Sequence, residues 1–272
     1  MRLTGKKILS VLTIILTLIG STASYHFYKL WKLQKPQAYL NDDGHVVLNG
    51  ELSSELLKKL KILEENINFE GRRLLVRSAG GRIVVGIAIG QVVHKYNMDV
   101  EVHEFCVSAC ANYIFTAGNH KYVRHNSGLI FHGGMLQHNM KGKHAEPSQW
   151  GGVNHEASVL PYSEKEKLEL VEYSDLEYDQ LGGFDNELAM ETHFFEMIGV
   201  NQFITVYGQL GEYASKYSSD HIGFHYTVND LKKFGVDNVS FLGEGRWRPH
   251  TNPYNNSPYW VKVDANILKR MP

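Results

Sequence analysis

Apolar positions along this chain switch repeatedly between two spacings. His45–Gly50 carries Val46, Val47 and Leu48 and ends in a turn glycine, which predicts a strand. Leu52–Ile67 places Leu56, Leu57, Leu60 and Leu63 on one stripe and Lys58, Lys59 and Lys61 off it. That is the pattern of an amphipathic helix, with Ser53 or Ser54 as its cap. A strand over Leu74–Val76, a helix over Ile83–His94 and a strand over Val100–Phe105 follow. From Ala109 onward Ala111, Ile114 and Phe115 return to helical spacing until Gly118, and Leu129–Phe131 is again strand. Strand and helix alternating over short connections predict an α/β layered domain.

After His132 the texture changes. Residues 135–183 are polar and punctuated by Gly142, Pro147, Gly151, Gly152 and Pro161, and read as an insertion too poor in apolar residues for a second core. A charged helix begins in it at Ser163, where Ser163 and Glu166 have the spacing of a capping box. Asp185–Ile198 is a second helix, bearing Leu188, Met190, Phe194, Phe195 and Met197, and Ile204–Leu210 extends this helical layer. Adjacent Phe194 and Phe195 cannot both point at one core, so one of them is expected to face a partner subunit or the insertion. Ile222–Asp230 reads as a strand turning into a short capped helix stopped by Gly235, and Val236–Leu242 as the last strand. The tail from Gly243 gives no assignment.

The N-terminus changes the picture of where such a domain would sit. Arg2, Lys6 and Lys7 precede an uncharged run from Ile8 to Tyr28, long enough to span a bilayer at about 1.5 Å per residue. Tyr25, Phe27, Tyr28 and Trp31, with Lys29 and Lys32, have the make-up of an interfacial belt. Residues 1–37 are therefore expected to be a membrane anchor and linker, and 38–272 an extracytoplasmic domain. Cleavage of a signal peptide near Ser21–Ala23, giving a secreted protein, is the alternative. The 28 Lys and Arg nearly cancel the 29 Asp and Glu, so no basic excess points to nucleic acid. The chain has 14 histidines, but His120, His125, His132, His138 and His144 share no ligand spacing and have no interleaved acid; no metal and no cofactor are expected.

Candidate chemistry gathers at three junctions. Ser108 lies where the Val100–Phe105 strand gives way to a helix, a geometry that exposes a hydroxyl and aims helix N-terminal amides at whatever it attacks. A plain helix cap is the other reading of this serine. Upstream, a strand ends in Ser78-Ala79-Gly80-Gly81, where glycines let backbone amides face a cleft. Downstream, a strand ends in His132-Gly133-Gly134. In turn these could supply oxyanion donors (Gly80, Gly81 and the Ala109 amide), nucleophile (Ser108) and base (His132). Cys106 and Cys110 bracket the serine; behind an export signal they are expected to form a disulfide, two buried thiols being the alternative.

The order and spacing of Gly80-Gly81, Cys106-x-Ser108-Ala-Cys110 and His132 resemble the ClpP/crotonase superfamily, and most of all its membrane-associated or periplasmic bacterial ClpP-like serine proteases. The resemblance covers roughly His45 to Leu242. It implies a spiral of ββα units with a helical C-terminal elaboration, a serine peptidase acting on peptide or protein substrates at a bacterial inner membrane or in the periplasm, and a homo-oligomer built on trimers. It also implies an acid in the helical region after the histidine. Asp185 is chosen, with Asp179, Glu187, Glu191 and Glu196 as rivals. The family's glycine loop usually has Pro where this chain has Ala79. Two other functions remain open: a catalytically inactive scaffold or interaction protein, and a crotonase-like acyl-thioester enzyme, which would not need an elbow serine backed by a histidine.

Overall fold

The computed structural model describes residues 35–139, 184–216, 223–243, 247 and 258–271. A sheet runs through the centre in the order β1 (Gln37–Leu40), β2 (Val46–Asn49), β3 (Arg73–Ser78), β4 (Asp99–Val107), β5 (Lys121–Arg124) and β8 (Val239–Leu242). Only the β1–β2 pair is antiparallel. The fold is therefore mixed α/β with a parallel-rich sheet, as the alternating periods predict.

One irregularity in β4 shapes everything near the site. Val76 of β3 pairs with Val102, but Ser78 pairs with Cys106, so β4 carries extra residues at a bulge around Glu104, whose φ is +69°. Before the bulge β4 pairs with β5; after it, Phe105, Cys106 and Val107 pair with β6 (Gly128–Ile130) instead. The bulge thus lets one strand serve two neighbours, and it brings the C-terminal ends of β3, β4 and β6 side by side.

Helices cover the sheet for legible reasons. In α1 (Ser54–Asn66) the Ser53 hydroxyl caps the N-terminus by accepting the Leu56 N–H at 3.3 Å, and Leu56, Leu57 and Leu60 are buried. Helix α2 (Ile83–Lys95) is apolar nearly all round and buried from Val84 to Gly90. Its Gly86 and Gly90 face the segment after Ser108: a Cβ on Gly90 would stand 2.5 Å from the Tyr113 carbonyl oxygen. That segment, Cys110–Phe115, is a π-helix, wider than the α-helix its spacing predicts, and wholly buried.

Helix α3 (Phe184–Ile198) packs against α2 and against the Met135–Asn139 turn, and its aromatic pair is buried within the chain. Phe194 and Phe195 are 0% and 1% exposed and meet edge to face, their centroids 5.4 Å apart, with Tyr113 at 5.7 and 6.0 Å. Both find their partners within one chain, so the pair supplies no motive for a subunit interface. The 3₁₀ turns Gln202–Thr205, Tyr207–Gln209 and Gly211–Tyr213 stand where the spacing over Ile204–Leu210 predicts a continued helical layer. Burial also shortens the insertion. Met135 and Leu136, in the 3₁₀ turn Met135–Asn139, belong to the core, while residues 140–183, with the Ser163 helix start, lie outside the described residues.

Strand β7 (Phe224–Tyr226) continues into the short helix α4 (Val228–Lys233), capped by Thr227, whose hydroxyl also donates to Asp230 Oδ2 at 2.6 Å. The tail from Gly243, to which pattern assigns nothing, forms β9 (Tyr259–Val261), parallel to β7, and α5 (Ala265–Leu268). Val239–Leu242 is consequently not the last strand.

The membrane-anchored, extracytoplasmic reading needs correction. Among the described residues no helix is long and apolar enough to cross a membrane. The longest, α3, has 15 residues and rises about 22 Å, short of the roughly 30 Å hydrocarbon core. The most apolar, α2, spends its hydrophobic surface on the protein core. The Ile8–Tyr28 run on which the reading rests lies outside the described residues, so membrane anchoring is unsupported.

Candidate active site

Ser108 has φ +60°, a left-handed backbone that a non-glycine residue adopts at a cost of about 1–3 kcal/mol. Two contacts hold it there. Its N–H donates to the Ile130 carbonyl at the end of β6 (2.9 Å), and its own carbonyl accepts the Asn112 N–H (2.9 Å), starting the π-helix. The chain therefore reverses sharply between β4 and the helix, and Ser108 is left partly exposed amid buried neighbours. The disulfide between Cys106 and Cys110, with Cα atoms 5.2 Å apart, closes across this turn.

The glycine loop after β3 is pressed against the serine. A Cβ on Gly80 would lie 2.6 Å from the Ser108 Cβ and 2.8 Å from the Val107 carbonyl oxygen, so only glycine fits. Gly80 and Gly81 both take positive φ, +95° and +149°. The Gly80 N–H donates to the Ser78 hydroxyl at 3.1 Å, which turns it away from the role of oxyanion donor. The Gly80 carbonyl and the Arg82 N–H bond to Leu52, leaving the exposed Gly81 amide between them without a backbone acceptor among the described residues. The Ala109 amide, first after the serine, also has no backbone acceptor among the described residues, though Ala109 itself is buried.

His132 follows β6 by two residues, on the strand whose Ile130 holds the Ser108 amide. Burial pushes its imidazole below the ordinary histidine value, so the neutral form is favoured. Its carbonyl accepts Gln209 Nε2 at 2.8 Å, which fixes the backbone where it leaves the strand. Asp185 is the second residue of α3, ahead of the residues whose side chains are described, and Asp179 lies outside the described residues.

A different acid is built into this region. Glu191 is 0% exposed and accepts hydrogen bonds from Tyr113 Oη (2.6 Å), Gln202 Nε2 (2.6 Å) and the Met135 N–H (3.1 Å to Oε2). Burial raises its pKa, against the pull of these donors. Gly134 leaves room for it: a Cβ there would stand 2.5 Å from Glu191 Oε1. Its signal in the sequence is a lone carboxylate between Leu188 and Phe195 on the buried stripe of α3. Asn112, which no sequence pattern singles out, donates from Nδ2 to the Gly133 carbonyl at 2.7 Å.

The structure thus brings Ser108, Gly80, Gly81 and Ala109 together at the carboxyl ends of adjacent parallel strands, with His132 on the chain leaving the next one. Clefts at such strand ends are where α/β sheets place their ligands. No known family model matches this chain, and no curated protein matches it.

Proposed function

We propose that the chain is a serine hydrolase acting on peptides, with Ser108 as nucleophile and His132 as general base. The observation that carries this reading is the left-handed, partly exposed Ser108 at the end of β4, against which no residue larger than Gly80 fits. Strained backbone of this kind persists only where its surroundings over-determine it. The resemblance of Gly80-Gly81, Cys106-x-Ser108-Ala-Cys110 and His132 to ClpP-like serine proteases supports the peptide class and the spiral form of the fold.

Neutral His132 takes the hydroxyl proton as Oγ attacks the scissile carbonyl carbon, then returns it to the leaving amine. The oxyanion that forms is met by the Gly81 and Ala109 amides, each donor being worth roughly 2.7–4 kcal/mol in the transition state. Water then attacks the acyl-enzyme by the same proton relay and frees Ser108.

A fluorophosphonate probe tests the reading, since it captures a serine only when base and oxyanion donors activate it. Covalent labelling of the folded protein that disappears in Ser108→Ala is expected. Absence of labelling in folded wild-type protein across pH 6 to 9 would overturn it in favour of an inactive scaffold.

A further inference from the structure

The nucleophile and the base sit on separate segments, and two hydrogen-bonded links join those segments behind the reacting groups. One link is direct, from Asn112 Nδ2 on the π-helix to the Gly133 carbonyl, the residue after His132. The other runs through a carboxylate. Tyr113, next on the π-helix, donates its hydroxyl to Glu191 Oε1, and Glu191 accepts the Met135 N–H three residues after His132. Gln202 Nε2 binds Oε2 and fixes the rotamer from the other side. We infer that Glu191 is a positioning residue that sets the Ser108–His132 separation by tying the π-helix after the nucleophile to the glycine loop after the base.

Three features set this carboxylate apart from a stray buried acid. It is fully buried, yet every hydrogen bond described for it comes from elements other than its own: the π-helix, the turn at Met135 and the turn at Gln202. A buried carboxylate left short of donors would cost several kcal/mol, so these donors are held to it strongly. The backbone is shaped for it, because Gly134 alone allows the loop to pass within reach of Oε1. Its two ties also converge on residues near the chemistry in sequence, Tyr113 five after Ser108 and Met135 three after His132. These ties run to the segments that carry the two reacting groups, so the effect of Glu191 on catalysis is geometric. A displacement near 1 Å at the reacting atoms is enough to cost about 100-fold in rate.

The inference rests on the Ser108–His132 reading, and a measurement without turnover separates the two. Full-length wild type, Glu191→Gln and Glu191→Leu are compared by melting temperature, by the NMR titration of the His132 imidazole and by the rate of fluorophosphonate labelling. Gln keeps an acceptor for the Met135 N–H and a partner for Tyr113, whereas Leu keeps neither. A folded Leu variant is expected to label about 100-fold more slowly and to show a shifted His132 titration, with Gln restoring most of both. Should the Leu variant fail to fold, Tyr113→Phe removes one tie while keeping the ring among Phe194 and Phe195, and the same two shifts are expected in smaller measure. A folded variant with unchanged labelling and unchanged His132 titration overturns the positioning role. A His132 titration that answers to Glu191 in a wild-type protein that never labels keeps the positioning role and discards the hydrolase.

Discussion

At the residue, conformational cost concentrates at Ser108. Its φ of +60° is held by the Ile130 carbonyl, by the first turn of the π-helix and by the absence of a side chain at Gly80. Gly80→Ala is therefore expected to act on the serine directly, because the atoms a new Cβ would meet are the Ser108 Cβ and a backbone oxygen, neither free to swing away. The expected outcome is a loss of about 1–3 kcal/mol in denaturant unfolding together with slower phosphonate labelling. Labelling at the wild-type rate would show that the loop does not set the serine's position. The placements of Ser108 and the glycine pair at strand ends are open to sequence reasoning because local pattern marks the junctions, whereas the direction of the Gly80 amide is not. The contacts of Glu191 and Asn112 are not open to it either, since their partners are backbone groups and side chains remote in the chain.

At the element, close packing rather than propensity explains the helices around the site. Helix α2 reaches the π-helix through Gly86 and Gly90, and a Cβ on Gly90 would meet the Tyr113 carbonyl oxygen at 2.5 Å and the Phe194 ring at 2.9 Å. Helix propensity favours Gly90→Ala by up to about 1 kcal/mol, yet overpacking costs about 1–3 kcal/mol and is expected to win, lowering the melting temperature. A stabilised variant would mean that the two helices have slack between them. The Cys106–Cys110 bridge ties β4 to the π-helix over a sequence separation of 4. So short a loop removes little chain entropy, and reduction is expected to cost about 2 kcal/mol. Chemical denaturation with and without reductant measures it, and phosphonate labelling in parallel reports whether the turn itself has loosened. Strands β1 and β5 escape sequence reasoning because β1 is exposed along most of its length and β5 begins and ends on a basic residue.

At the scale of the molecule, the buried titratable groups set an acid limit. Burial holds His225 neutral, lowering its pKa from 6.5 to about 4, while its Nδ1 contacts the Leu129 carbonyl at 2.6 Å and its ring packs on Trp247 and Trp260. Between those two values the unfolded chain takes a proton that the folded chain refuses, so stability rises with pH across that window and levels off above it. The contribution of His225 is about 3 kcal/mol. His132, also depressed by burial, acts in the same direction. Glu191 opposes them: its raised pKa makes the folded chain hold a proton longer, so its share of stability falls as pH climbs above 4.5. Melting temperature is expected to rise from pH 4 to 7, less steeply in His225→Phe and more steeply in Glu191→Gln. Equal slopes in all three proteins would refute the assignment.

Local pattern by itself determined the alternation of elements, the Thr227 cap, a serine cap at Ser53 or Ser54, and the three junctions carrying Gly80-Gly81, Ser108 and His132, because each depends on neighbours a few residues away. Tertiary structure decided what depends on distant partners. It split β4 between two neighbours at the Glu104 bulge, folded Phe194 and Phe195 together around Tyr113, and paired the Gly243-onward tail with β7 through β9. It also turned the Gly80 amide toward Ser78 and buried Glu191 between the π-helix after Ser108 and the loop after His132. A side chain's type and spacing foretell that it will be buried or will end an element; which donor it then meets is settled only when segments far apart in the chain close around it.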